Sequence, residues 1–243
     1  MAKAGDLTLA GGSITNGDTG IQVDGPTVTA TLTGTEIRGL DGNGIEVLST
    51  AGVILDQVHV TATRAAGIKH VAGTLGISGS EIDANIDDGL KVLGGAFELA
   101  GTKIHGNGAY GVSVAGAEAS IHGCELYGNG NKNAGGGLGF VGAGASLSQF
   151  FGNKLHGNFR AQLYFGAEPA SGTWKISSIS CQSPSVPNAL ACYATDAFGV
   201  LAASGVSVAA NNVSWMHAPP TVADKDFSGS VTATSYCSVA ACP

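Results

Sequence analysis

Basic residues and aromatic rings are scarce in this chain, and no stretch is apolar for long enough to cross a bilayer as a helix. Only 11 Lys and Arg stand against 18 Asp and Glu over 243 residues, a formal charge of −7. That balance excludes the phosphate-neutralising surface of a nucleic-acid binder. Aromatic content is 6% beside 44% hydrophobic content, so the expected core is narrow and filled by Ile, Val, Leu and Ala. A secretory signal is missing as well. Met1-Ala2-Lys3 runs directly into the alternating Leu7-Thr8-Leu9, and the N-terminus reads as the start of an excised domain. Cysteine is absent before Cys124.

Glycine is what the chain has in quantity, 39 of them, and many recur in step. The phrase Gly-[Ile/Leu/Val]-x-[Val/Phe] begins at Gly20, Gly44, Gly89, Gly111 and Gly137, and Gly67-Ile68-Lys69-His70 is a variant of it. The spacing of roughly two dozen residues is that of a solenoid, in which each coil buries its apolar side only against its neighbours. A second column is expected at Ile14, Ile37, Val58, Ile82, Ile104, Leu126 and Leu155, with Asn85, Asn107, Asn129 and Asn158 three residues behind its later members. In the coil from Gly89 to Tyr110, alternation turns Leu90, Val92, Phe97, Leu99, Thr102 and Ile104 inward. Lys91, Glu98, Lys103 and His105 then face out. Three short strands per coil, closed by Gly106-Asn107-Gly108, make the rung of a right-handed single-stranded parallel β-helix. The asparagines are expected to form a ladder of stacked amides bonded to one another and to the turns.

Over about residues 7–165 the two phrases, Gly-Ile-x-Val and Ile-x-Gly-Asn, resemble the parallel β-helix repeat superfamily of pectate-lyase-like solenoids. The implied fold is all-β, with about seven to eight coils. Coils are expected over residues 1–180. Residues 181–243 are expected to hold a degraded last coil and a C-terminal cap in the same domain, with Cys181, Cys192, Cys237 and Cys242 as disulfide candidates. Cys124 alternates inward and reads as a small core residue. The N-terminal end shows no capping helix and is expected to be covered by a missing segment or a partner chain.

Members of this superfamily include lyases, hydrolases, epimerases and non-catalytic surface proteins, so function has to come from the outward residues. The resemblance implies that a saccharide would lie across the Gly-Ile-x-Val strands. The outward column there is Gln22, Glu46, Lys69, Lys91, Ser113, Gly139 and Tyr164, with Asp87 and Asp88 just before Lys91. Glu46, Lys69, Asp87, Asp88 and Lys91 are the catalytic candidates, because a lyase or epimerase needs a base and a cation beside a uronate, and a hydrolase needs two carboxyl groups. Gln22, Glu46, Lys69, Lys91 and Tyr164 are the binding candidates. The Gly-His-Gly and Arg-x-Lys phrases that accompany paired aspartates in polygalacturonases are absent.

Two weaker patterns remain. A second outward column is expected at Arg38, His59, Asp83, His105, Tyr127 and His156, read as surface histidines. Asp224, Asp226 and Ser228 match the opening of a calcium loop, but Ser235 stands where the bidentate Glu belongs. The resulting expectation is a secreted or cell-surface protein, non-catalytic, binding a glycan or protein partner along its side. The alternative is a polysaccharide lyase, epimerase or glycoside hydrolase using the same face.

Overall fold

The computed structural model describes residues 5–26, 28–48, 52–131, 134–176, 188–191, 197–217 and 219–239. Every regular element among them is a strand. After an opening pair, Gly5–Ala10 and Ser13–Thr15, the strands recur in threes, and each pairs in parallel with its equivalent one coil away. Sheet A stacks the Gly-Ile-x-Val strands, beginning Ile21–Val23, Ile45–Val47 and Ile68–His70, and has nine members. Sheet B starts from Gly5–Ala10 and Val28–Thr33. Sheet C stacks the three-residue strands from Ser13–Thr15 onward.

The stack is longer than expected. Strands Phe198–Ala202 and Phe227–Ser228 extend sheet A, and Ala189–Ala191, Val213–Trp215 and Tyr236–Val239 extend sheet C. A three-stranded sheet of Trp174–Lys175, Ser207–Ala209 and Ser230–Thr232 takes the place of sheet B in the last three turns. The chain therefore makes nine turns rather than seven to eight. The tail hid its turns because its strands are short and lack the Gly-Ile-x-Val phrase. Cys181, Cys192 and Cys242 lie outside the described residues, and Cys237 sits in the strand Tyr236–Val239.

Inward residues form one continuous cluster from Ile21 to Trp215. Aliphatic side chains fill the early coils. Later, Phe140 stacks on Phe165 at 5.3 Å, with Trp174 against both at 4.2 and 5.2 Å. One register expectation fails: Val60, not Val58, stands between Ile37 and Ile82 in sheet C. Val58 sits at the preceding corner, where its N–H donates to the Ser80 hydroxyl.

The glycine of each Gly-Ile-x-Val phrase has an ordinary negative φ, so it is not there to make a turn. It is there because the next coil comes too close for a side chain. A Cβ at Gly44, Gly67, Gly89 or Gly111 would lie 2.5–2.8 Å from the carbonyl oxygen of the equivalent glycine on the following coil. From Gly67 onward it would also meet an asparagine Nδ2: that of Asn85, Asn107, Asn129 and, at Gly137, Asn158, at 2.7–2.8 Å. The left-handed φ falls instead on the residue before each ladder asparagine: Ala84, Gly106, Gly128 and Gly157.

The ladder itself is continuous. Thr63 donates to Asn85 Oδ1, Asn85 Nδ2 to Asn107 Oδ1 (2.9 Å), Asn107 to Asn129 (2.9 Å) and Asn129 to Asn158 (2.9 Å). Gln162 closes it by accepting from Asn158 at 2.7 Å. Each Oδ1 also accepts a main-chain N–H from the coil before, as Asn107 does from Asn85 at 3.2 Å. A shorter ladder, Asn153 to Asn188, runs along another corner and takes in the Cys124 N–H. Substituting Asn107→Ala leaves the Asn85 N–H buried without its acceptor and the Asn85 amide with only the Val60 carbonyl at 3.5 Å, at about 1–3 kcal/mol for each acceptor lost. Urea titration of this variant is expected to show at least ~2 kcal/mol lost. A loss within ~0.5 kcal/mol would mean the ladder contributes little.

His70 breaks the pattern of the core. It occupies the inward position filled by Val47 and Val92 on the flanking coils, it is fully buried, and neither ring nitrogen has a hydrogen-bond partner among the described residues. Burial holds its pKa below the usual 6.5, and the nearby Ala72 backbone offsets only part of that. The native state thus keeps the ring neutral while the unfolded chain protonates it. Stability is complete above the unfolded pKa and falls as pH drops below it, until the lowered native value is passed. The His70→Val variant is expected to flatten the decline in melting temperature between pH 7 and 5. Equal declines in both proteins would show that His70 is not its source.

Candidate functional site

Strand register brings the outward residues of sheet A into one file: Gln22, Glu46, Lys69, Lys91, Ser113, Gly139, Tyr164, Leu201 and Ser228. Its charged members are Glu46, Lys69 and Lys91, and each is paired with a neighbouring side chain. Glu46 accepts from Asn43 Nδ2 at 2.5 Å and lies 3.6 Å from Lys69 Nζ. Lys91 Nζ is 3.2 Å from Asp87 Oδ2 and 4.0 Å from Asp88 Oδ2. Partly exposed pairs of this kind contribute about 0–1 kcal/mol each, and they keep the face soluble.

Asp88 differs from its neighbours because its side chain is only 6% exposed. One oxygen accepts the Tyr110 N–H at 2.9 Å and the other the Ser113 hydroxyl at 2.6 Å. Burial raises its pKa, and those two hydrogen bonds pull in the opposite direction. The repeat supplies a control for what this residue does. Two coils earlier the equivalent corner holds Asn43, whose Oδ1 accepts the Ala66 N–H at 3.0 Å. Asn43 thus does without a charge what Asp88 does, and the coil between them carries Ala66 at the same corner.

Beyond Ser113 the file changes from charged to aromatic in character. Gly139 is the slot over which the Tyr110 ring lies: a Cβ there would be 2.6 Å from Tyr110 Cε1. Tyr164 lies in the same way against Gly166, and the two rings are near parallel with centroids 6.3 Å apart. Arg160 is exposed, has a left-handed φ of 60°, and holds its guanidinium carbon 4.5 Å from the centre of the Tyr164 ring. Arg38 and Arg64 pair with Glu36 and Asp41, whereas Arg160 has no carboxylate within 4.0 Å among the described residues. Burial raises the Tyr110 pKa, and the neighbouring Arg160 cation offsets part of the rise. Tyr110 is thus a neutral phenol and hydrogen-bond donor near pH 7. Neither Tyr110 nor Arg160 stands out in the sequence. The one available signal is the pair of glycines, Gly139 and Gly166, beside outward positions, which leave room for rings from neighbouring coils.

No sequence family and no curated protein matches the chain. Among solved structures it is similar to the A-module of the Azotobacter vinelandii mannuronan C-5 epimerase AlgE6, with a TM-score of 0.53 and 15% identity. That superposition covers 98% of this chain and 58% of the module, so the chain spans little more than half of it. A second match, pectate lyase Pel9A, has a TM-score of 0.48 and 13% identity, covering 96% of this chain and 68% of that one. The likeness is one of fold, a parallel β-helix.

On sheet C of this β-helix the histidines do not fall into one file. Thr61, not His59, pairs with Arg38 and Asp83, and His59 aligns with Glu36 and Glu81. His105, Tyr127 and His156 do stack, at 4.5 and 5.1 Å. Their Nε2 atoms are taken by carboxylates: His59 by Asp83 (2.7 Å), His105 by Glu81 (2.9 Å) and His156 by Glu125 (3.1 Å). Each acid sits on an adjacent coil, so these are cross-coil pairs along the axis. At the far end, Ser228 aligns with Leu201 in sheet A, while His217 stands beside Asp224 and Asp226.

Asp88→Asn keeps an acceptor for the Tyr110 N–H and removes a charge whose burial is unfavourable. The raised pKa means that the native state binds this proton more tightly than the unfolded chain does, so the charged form costs stability at pH 7. Asp88→Asn is expected to melt within ~1 kcal/mol of wild type or above it, whereas Asp88→Ala loses about 1–3 kcal/mol. A severe loss in Asp88→Asn would show that the carboxylate's charge itself holds the corner.

Proposed function

We propose that this protein engages an acidic polysaccharide along the outer face of sheet A, as a secreted or cell-surface β-helix. One observation carries the reading: Arg160, resting on Tyr164 beside Tyr110, is a cation presented on an aromatic cradle instead of being neutralised by a carboxylate. A sugar ring stacks on such faces, and a planar guanidinium receives a carboxylate with two parallel hydrogen bonds. Lys69 and Lys91 lie on the same face, four and three coils away, so at ~4.8 Å per coil the basic positions span ~19 Å of the axis. Such a span accommodates several linked sugars.

A second reading, turnover of the bound glycan, is favoured by three groups linked through Tyr110, whose N–H donates to Asp88 and whose ring lies beside that of Tyr164 under Arg160. The Tyr110 phenol is neutral and donates, the Arg160 cation can hold a uronate carboxylate, and Asp88 is a buried carboxylate of raised pKa. Those are the parts a lyase or epimerase uses, a cation to stabilise the enolate-like charge and groups that exchange a proton. The AlgE6 module, with the same fold, is an epimerase, which adds support. Hydrolysis is less well supported, because Asp87 and Asp88 share Lys91 instead of facing each other across a gap.

The test is binding of polymannuronate, polygalacturonate and a neutral glucan to wild type and Arg160→Ala. Acidic polymers are expected to bind wild type selectively, with Arg160→Ala at least ~10-fold weaker. Ultraviolet-absorbing unsaturated ends, or a changed uronate configuration by NMR, would establish turnover. No preference for acidic over neutral polymers would sink the proposal.

A further inference from the structure

The last turn contains a group of side chains that has no connection with the sheet A face. Asp226 is completely buried. One of its oxygens is 3.0 Å from His217 Nδ1, and the other accepts the Thr221 N–H at 2.8 Å. Asp224, two residues earlier and exposed, accepts the Thr221 hydroxyl at 2.7 Å, and its own N–H donates back to that hydroxyl oxygen at 3.0 Å. The donor atoms of His217, Asp224 and Asp226 all lie within 4.8 Å of one another, the only such trio among the described residues.

The three come from two separate pieces of the fold. His217 follows the sheet C strand Val213–Trp215, whereas the aspartates belong to the turn that leads into the sheet A strand Phe227–Ser228. A metal bound at 2.0–2.2 Å places its donors roughly 3–3.5 Å apart. His217 and Asp226 already have that separation, and the exposed Asp224 carboxylate would close by roughly 1 Å through its own side-chain rotation. A fully buried carboxylate is also where extra positive charge is most valuable, because water is not there to stabilise it. One imidazole nitrogen with two carboxylates is a mixed nitrogen–oxygen set, suited to zinc or manganese. Calcium instead favours six to eight oxygens. Ser228, the third member of the calcium pattern, lies in the sheet A strand opposite Leu201.

We propose that His217, Asp224 and Asp226 form a structural site for a divalent transition-metal ion, which clasps the 221–226 turn to the end of sheet C. The ion takes the place of the hydrogen between His217 Nδ1 and Asp226, so the imidazole binds neutral through Nδ1 and carries its proton on Nε2. The role is structural, closing the last turn of the stack.

The experiment uses the full chain after treatment with a chelator. Zn²⁺, Mn²⁺ and Ca²⁺ are titrated by calorimetry, with the melting temperature followed in parallel, on wild type, His217→Ala, Asp224→Asn and His122→Ala. Wild type and His122→Ala are expected to bind one equivalent of Zn²⁺ or Mn²⁺ and to melt higher. Loss of even an outer-shell partner weakens a metal site about 10–100-fold, so both His217→Ala and Asp224→Asn should bind at least ~10-fold more weakly. Asp224 is exposed, so its variant keeps the fold and separates metal loss from misfolding. Saturable binding that persists in both variants, or no binding to wild type, overturns the site. Binding of Ca²⁺ in preference to Zn²⁺ and Mn²⁺ overturns its assignment to a transition metal.

Discussion

The structure depends on how closely successive coils approach along the corner where the Asn ladder meets the glycine file. Each ladder amide lies 2.7–2.8 Å from the point where a Cβ on the file would sit. The glycine is thus the space that the asparagine occupies, and the two repeated phrases are halves of one contact. With the side chain gone, the main chains of neighbouring coils close up and the amides bond in a continuous row. Buried amides of this kind are favourable only when every donor and acceptor is met. Thr63 at one end and Gln162 at the other complete the row within the stack.

That constraint decides where function can reside. Inward positions are filled, corner positions are tied into ladders, and only the outward residues of each sheet are free to vary. Most of those spend their charge on the next coil. Glu46 with Lys69 and the histidines of sheet C with their acids are cross-coil pairs that a solenoid forms readily, and Asp87 pairs with Lys91 within its own coil. The group that departs from this rule is Tyr110, Arg160 and Tyr164. Its cation rests on a ring, its backbone at Arg160 is in a region that ordinary residues avoid, and a glycine makes way for Tyr110. Strain of that sort persists where the surroundings over-determine it, and such places are often functional.

The strand order and the sheet A file were legible because they follow from periodicity. Gly-Ile-x-Val recurs often enough to count coils and to point Lys69 and Lys91 outward. Val58 and Val60 are not told apart by the period, because a β-branched residue fits both a corner and a strand. His59 leaves the expected file for the same reason: an offset of two residues keeps both faces of the strand but sets Thr61 between Arg38 and Asp83. The last turns, with strands of two to five residues, carried too few repeats to be counted. Gly139 read as a gap in the polar file, although in space it is the seat of an aromatic ring from the coil before.

By itself, the sequence determined the architecture: a coil length, three strands per coil, an aliphatic core and a file of asparagines. Those follow from alternation and spacing, which are local. Tertiary structure decided the rest, because stacking brings together residues some 22 to 50 apart whose side chains cross from one coil to another. It made Asp88 a buried acceptor equivalent to Asn43, left His70 in the core without a partner among the described residues, and set Arg160 on Tyr164 beside Tyr110. Which outward residues meet depends on the size of their neighbours and the reach of each side chain, and neither is written in the period.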